Sequence, residues 1–187
     1  CLCVCRVLRR GVLAWRQTDM KAMVAYSSVS HMGVILLDIA TLNNTGIIGA
    51  VLQMTAHGLV AGAMFLLVGL LYERTHTRNI LDYSSLVRVM PRFALFMTIT
   101  LFAAMGLPGT VGFIAELHAI IGGFQEWGNL MILLGVSILI GTAYAMRTIG
   151  MLFTGPVKSH MREIEDLKSF ELMAAGILVI AIVILGI

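Results

Sequence analysis

The chain has 187 residues, of which 59% are hydrophobic and only 12% charged, with a formal net charge of +3 and a mean hydropathy of +0.94. Soluble domains carry about a quarter charged residues, so the charge here is about half of what a water-facing surface needs. A soluble enzyme domain, a disordered tail and a nucleic-acid-binding module are excluded, and an integral membrane protein remains. Nucleic acid is not an expected partner.

The chain opens on Cys1, Cys3 and Cys5, an alternation that fits neither a disulfide framework nor a C-x2-C metal site, and no function is expected of it. Arg6, Arg9 and Arg10 interrupt the only early apolar stretch, so no secretory signal is read there. Residues 1–21 are read as a basic N-terminal segment. The chain begins without Met and stops inside an apolar run at Ile187, which reads as a piece of a longer protein. A bilayer core needs about 20 apolar residues per helix. On that measure the sequence predicts helices over 22–41, 46–72, 92–106, 129–153 and 170–187, with a shorter one over 110–124. Pro91, Pro108 and Pro156 all fall at proposed boundaries, where helices tolerate them. The fold class expected is an all-α integral membrane protein, a bundle of about six transmembrane helices, one of them interrupted, with short connections.

The interruption lies in Met105–Gly112, where three glycines and a proline fall within eight residues. Two readings stay open. The break lies at membrane depth, where broken backbone needs protein or a water-filled cavity around it, or it is a tight hairpin at the bilayer surface. Orientation follows from Lys and Arg. Arg6, Arg9, Arg10, Arg16 and Lys21 fall in 1–21, and Arg74, Arg78, Arg88 and Arg92 in 73–92, while 42–45 and 107–110 carry none. The two basic segments are assigned to the matrix or cytoplasmic side, and the loop 154–169 is expected on the opposite face.

Four charges lie inside or beside apolar runs: Asp38, Glu116, Glu126 and Arg147. Centring each helix in the membrane brings His31, His57 and Glu116 to a common depth, with Thr98, Thr100, Thr142 and Tyr144 nearby. An ionisable group at the bilayer centre costs about 2.5–3.5 kcal/mol on insertion scales, so such groups usually face a bundle interior and mark function. A row of protonatable groups at one depth is the pattern of a proton path along the membrane plane. Ser27 and Ser28 stand one turn before His31, and Gln53 one turn before His57, so each is expected to hydrogen-bond the histidine of its own helix. Bland alternatives stand beside each. A lone intramembrane His often serves as an interhelical hydrogen-bonding group, Asp38 near its helix end reads as interfacial, and Arg147 can snorkel. The thirteen Met are packing material. His76, His118 and His160 show no metal-ligand arrangement, and no phosphate loop, triad or haem signature is present, so no cofactor is expected.

Local strings go further. Asp19-Met20-Lys21-Ala22-Met23-Val24-Ala25-Tyr26-Ser27-Ser28-Val29-Ser30-His31-Met32-Gly33 resembles the signature of the antiporter-like subunits of respiratory complex I. Thr55-Ala56-His57-Gly58-Leu59 follows at the family spacing, as does Leu71-Tyr72-Glu73-Arg74-Thr75-His76-Thr77-Arg78, which looks like the loop of the chain-4 branch of that family. Leu107-Pro108-Gly109-Thr110 and Phe113-Ile114-Ala115-Glu116 complete the set. The resemblance spans about residues 14–187.

It implies part of a proton-pumping subunit of the complex I membrane arm, which couples NADH:ubiquinone electron transfer to proton translocation and holds no redox centre itself. It would thus be enzymatic as a subunit of a proton-translocating NADH:ubiquinone reductase. By motif, Lys21, His31 and His57 would belong to the polar axis or its approach, and Glu116 would be the terminal acid on a broken helix. Sibling chains and the large subunits of multi-subunit sodium–proton antiporters typically carry Lys at that position, so Glu116 favours the chain-4 branch. Arg78 matches a loop arginine taken as structural. The family expects a membrane helix before Asp19, where this chain has Arg6, Arg9 and Arg10, and usually has Gly at the place of Ala115. Its first broken helix, with a Lys and a paired Glu, is missing. Residues 22–187 are therefore read as the C-terminal half of an antiporter-like proton-translocating domain, preceded by a divergent 1–21. The partners implied are other membrane-arm subunits, including a chain supplying the N-terminal half, and membrane lipids. The location implied is the mitochondrial inner membrane, multi-pass, or else a bacterial inner membrane. The competing readings are a non-pumping structural span and a sodium–proton antiporter subunit.

Overall fold

The computed structural model of the chain describes residues 2–158, 161 and 164–187, including side chains except those of residues 2–6 and 130. Readings that fall on Cys1, Cys3, Cys5, Arg6, His160, Arg162 and Glu163 lie outside the described residues or side chains. Eight α-helices follow one another: α1 (Leu2–Arg16), α2 (Met20–Ala40), α3 (Asn44–Thr75), α4 (Leu86–Val89), α5 (Pro91–Ala104), α6 (Val111–Trp127), α7 (Ile132–Phe153) and α8 (Ser169–Ile184). Among the described residues there is no strand, only an isolated antiparallel bridge between Asp19 and Asn79. The all-helical reading stands. Three helices, α2, α3 and α7, are long and apolar enough to cross a membrane alone, and α5 and α8 are shorter apolar helices.

Local chemistry sets the boundaries. Asp19 Oδ1 accepts from the Lys21 and Ala22 amides at 2.7 and 3.1 Å, and Asn43 Oδ1 accepts from Gly46 at 2.7 Å, so each helix start has an N-cap for its orphaned amides. Pro91 occupies the first turn of α5, where its missing N–H costs nothing. The neighbouring amides of Arg92 and Phe93 donate to the Asp166 carboxylate at 3.0 and 3.2 Å. His76 ends α3 in a left-handed conformation, its amide returning to the Tyr72 carbonyl at 2.8 Å.

Helix α1 forms within the basic N-terminal segment. It packs along α2 and α7, with Val7 and Ala14 buried. The Arg10 guanidinium lies 5.6 Å from the centre of the Tyr26 ring, and Arg9 is exposed. Two long aliphatic stems can lie on a helix surface with their charges turned outward, so arginines at these positions do not forbid a packed helix.

The break after α5 decides the topology. The start of α6 lies at the level of Ala56, His57 and Val60 of α3, since these residues, Ala103, Ala104 and Gly112 line one cavity. The far end of α6 meets the start of α3. A Cβ added to Gly122 would stand 2.6 Å from the Gly46 nitrogen, one added to Gly49 would stand 3.1 Å from the Ala119 nitrogen, and Asn43 Nδ2 donates to the Gly122 carbonyl at 2.8 Å. Glycines let the two backbones touch, as small residues do between membrane helices. Thus α5 and α6 are two halves of one crossing, and the hairpin reading of the break is excluded.

This corrects the placement of the loop 154–169. Counting the break as a surface turn adds one crossing and sends that loop to the wrong face. With a single crossing it returns to the basic end, where the contacts put it. Arg74 pairs with Glu171, Lys158 Nζ donates to the Leu81 carbonyl at 2.6 Å, and the Ser85 amide donates to Thr154 at 3.3 Å. On the same face the Met20 amide donates to the Arg78 carbonyl at 3.0 Å and the Ile80 amide to Thr18 at 2.7 Å. The turns at the other end, 41–43 and 128–131, carry no Lys or Arg.

Tyr83 fastens the basic end. Its hydroxyl donates to the Thr77 carbonyl at 2.7 Å and lies 2.7 Å from Thr75 Oγ1, and burial pushes the phenol up from its ordinary value of 10.0. A raised acid stabilises the fold in its protonated form, so this contribution is present below about pH 10 and is lost as the pH climbs past the raised value. Tyr83→Phe leaves the buried partners unsatisfied and should cost about 1–2 kcal/mol. The check is the thermal midpoint of the detergent-solubilised protein at neutral pH. A midpoint equal to the parent's would show that the hydroxyl does not anchor the loop.

Candidate functional site

Three helices bring the titratable groups together. His31 on α2 and His57 on α3 face one another with ring centres 5.4 Å apart and planes inclined at 33°. The hydrogen bonds are exchanged relative to expectation. Ser28 Oγ on α2 lies 2.7 Å from His57 Nε2 on α3, while Gln53 Nε2 on α3 lies 3.2 Å from His31 Nδ1 on α2. Antiparallel packing of α2 and α3 sets the residue one turn before each histidine beside the other helix's ring, which outcompetes the i, i+4 contact within one helix. An amide NH2 can only donate, so Nδ1 of His31 accepts and its neutral ring carries the proton on Nε2. Ser27 bonds neither histidine, its hydroxyl returning to the Val24 carbonyl at 2.8 Å.

Glu116 on α6 joins the two histidines across a small cavity of about 20 Å³, bounded also by Gln53 and Gly112. A second cavity of about 20 Å³ lies on the other side of His31 and Glu116, where Ser30, Ser137 and Tyr144 contribute polar edges. Each exceeds the roughly 10–15 Å³ that one water needs, and each offers several polar partners. The polar row therefore runs His57, His31, Glu116, Tyr144 across α3, α2, α6 and α7.

The glycine of the break fits this carboxyl. Gly106 has φ +68°, in the left-handed region, and a Cβ built on it would stand 2.2 Å from Glu116 Oε2. The freed backbone is satisfied locally. The Leu107 amide donates to Phe102 at 3.1 Å, and the Thr110 amide and hydroxyl donate to Leu107 at 3.1 and 2.7 Å. From the sequence alone Gly106 is a helix breaker. Its close approach to Glu116 could not be seen without the fold, although a glycine-rich break ten residues before a buried acid was the available signal.

The remaining candidates stand elsewhere. Lys21 is exposed in the first turn of α2, ten residues before His31, and lines neither cavity. The Thr98, Thr100 and Thr142 hydroxyls return to carbonyls of their own helices, Ala94, Phe96 and Ile138, at 2.7, 2.8 and 3.1 Å. Arg147 donates to the Trp15 carbonyl, and Glu126 is exposed near the end of α6. Asp38, near the end of α2, is not on the outer surface of the bundle: it is 0% exposed. Among the described residues no three His, Cys, Asp or Glu side chains gather as metal ligands.

Comparison with known proteins identifies the family and the fold. The family described as NADH:quinone oxidoreductase/Mrp antiporter, transmembrane, matches residues 2–142, so the match takes in α1. NADH-quinone oxidoreductase subunit M of Rickettsia typhi is 33% identical over 186 residues, covering 99% of this chain and 38% of the relative. NADH-ubiquinone oxidoreductase chain 4 of Chondrus crispus is 37% identical, covering 97% of this chain and 37% of the relative. A chain of respiratory complex I from Thermus thermophilus superposes with a TM-score of 0.93 at 31% identity, covering 99% of this chain and 39% of that one. The chain thus spans under two-fifths of the length of the relatives it matches.

Proposed function

Because the chain belongs to the NADH:quinone oxidoreductase/Mrp antiporter transmembrane family, we propose that it is one portion of a proton-pumping subunit in the membrane arm of an NADH:quinone oxidoreductase. The observation that carries the reading is the continuous polar row from His57 through His31 to Glu116 and Tyr144, set at a broken helix between two water-sized cavities. Electron transfer takes place in other subunits of such a complex, and this chain supplies no redox group. Glu116 exchanges a proton with the histidine pair, and water in the cavities bridges the gaps. Ser28 and Gln53 hold the two rings in fixed tautomers and orientations, so that a proton entering on one ring leaves from the other.

The rest of the path comes from further membrane-arm helices supplied by the remainder of the subunit or by a partner chain. The second cavity, open beside Ser30 and Ser137, is the side from which a further titratable group would continue the row. Lys21, displaced from the row at the basic end, belongs to its approach rather than its core. The basic end, carrying every loop Lys and Arg described above, faces the matrix or cytoplasm by the positive-inside rule. The membrane is accordingly a mitochondrial or bacterial inner membrane, with lipid around the outward faces of α5, α7 and α8.

The reading is tested by deleting the gene for the chain and assaying its native membranes. Loss of the assembled complex, together with loss of inhibitor-sensitive NADH:quinone reductase activity, is expected. Membranes that keep assembly, activity and NADH-driven proton uptake into inverted vesicles without the chain would overturn it.

A further inference from the structure

Asp38 is wholly buried, and neither carboxyl oxygen has a hydrogen-bond partner among the described residues. An ionised carboxylate in that state would cost several kcal/mol, and buried charges persist only when paired. Among the described residues, no titratable side chain on the helices around it hydrogen-bonds it. On α2 the next is His31, bonded to Gln53. On α3 it is His57, bonded to Ser28. On α6 they are Glu116, which lines the two cavities, His118, whose Nδ1 is held by the Ile114 carbonyl at 2.8 Å, and Glu126, exposed near the helix end. On α1, Arg9 is exposed and Arg10 lies over Tyr26, while Arg147 of α7 is bound to Trp15 at the basic end.

The position of Asp38 is specific. It follows His31 by seven residues, two turns along the same face of α2 and about 10 Å closer to the uncharged end. The tight junction of α2, α3 and α6 lies beside its backbone. A Cβ on Gly46 would stand 2.9 Å from the Asp38 carbonyl oxygen, and Gly122 of α6 packs against Gly46. A second buried oxygen also lacks a partner: Oε1 of Gln53, whose amide nitrogen holds His31. Unpartnered buried oxygens are rare in folded proteins and call for a cause. Here the two lie on adjacent helices, one at the level of the histidines and one further toward the uncharged end.

We propose that Asp38 is a second proton carrier, taking protons from the His31–Glu116 cavities by way of Gln53 and passing them toward the uncharged end of the bundle. The proposal rests on the proton-path reading above and adds its outlet. Only O–H and N–H bonds change. A proton arrives on the carboxylate as one leaves the histidine side, and the neutral acid releases it toward the end turns at 41–43.

Inverted vesicles containing the native complex, with Asp38→Asn, Asp38→Glu and Glu116→Gln compared, test it. Asp38→Asn should assemble and oxidise NADH when uncoupled, but lower the protons moved per electron pair by at least about tenfold, while Asp38→Glu restores pumping to within roughly twofold. Parent-like pumping in Asp38→Asn, or a loss that Asp38→Glu does not restore, overturns the proposal. Parent-like pumping in Glu116→Gln instead overturns the reading beneath it. Should Asp38→Asn fail to assemble, the unmodified complex is treated with dicyclohexylcarbodiimide, an apolar reagent that adds to protonated carboxyls. Modification of Asp38 in the digested chain supports the proposal. Modification of Glu116 without Asp38 overturns it.

Discussion

Glu116→Gln should abolish proton translocation while leaving the bundle folded. Gln has the same volume and can be held in the same cavity, so assembly and uncoupled NADH oxidation are expected to remain within about a factor of two of the parent. Proton uptake by inverted vesicles should fall by a factor of about 10² or more, the contribution typical of a positioned proton-transfer group. The magnitude follows from what the residue must do. Moving one charge against the membrane potential takes about 2.3 kcal/mol per 100 mV. At about 150 mV the site must therefore change its proton affinity by two to three pKa units between states, at 1.36 kcal/mol each. An amide cannot exchange a proton at all, so no part of that swing survives. Parent-like uptake would leave the polar row as hydrogen bonding alone and would favour a structural span.

Gly106→Ala is the second large effect, and it isolates the role of the break. An L side chain in the left-handed region costs about 1–2 kcal/mol. The added Cβ would stand 2.2 Å from Glu116 Oε2 and 2.9 Å from its carboxyl carbon. The glutamate tip is the flexible partner, so the carboxyl moves and the helix stays. Pumping per assembled complex should drop by about tenfold or more, since small misplacements of a reacting group already cost large factors. Gly109→Ala is the control. Gly109 also has a positive φ, +91°, yet a Cβ there meets nothing within 4 Å. It should show the strain cost without the loss of pumping. Equal pumping in the two variants would mean that the proximity of Gly106 to Glu116 has no functional consequence.

Much of the bundle was readable from the sequence because two independent signals agreed. Apolar run length located the helices within a few residues, and Pro91, Pro108 and Pro156 marked their ends. His31, His57 and Glu116 were found by asking which titratable groups sit mid-helix, where burial is costly and therefore informative. What was not readable depended on how helices pair. The exchange of Ser28 and Gln53 between histidines needs the antiparallel register of α2 and α3, which no within-helix spacing reveals. The face occupied by 154–169 hung on whether Met105–Gly112 turns back or carries on, and a glycine–proline cluster encodes the interruption without its direction. Asp38 looked interfacial because it lies near a helix end. The glycine contacts between α3 and α6 bury that end, and they involve residues seventy or more positions apart. The helix α1 was obscured by its arginines, whose charges lower hydropathy without preventing one face from packing.

In a pumping complex Glu116 changes its protonation as the complex turns over. The most direct measurement is infrared difference spectroscopy of the native complex in vesicles, comparing resting membranes with membranes driven by NADH, for the parent and for Glu116→Gln. A carboxyl band that appears or vanishes on turnover is expected in the parent and is missing from the variant. Identical difference spectra from the two, with the parent pumping normally, would contradict it.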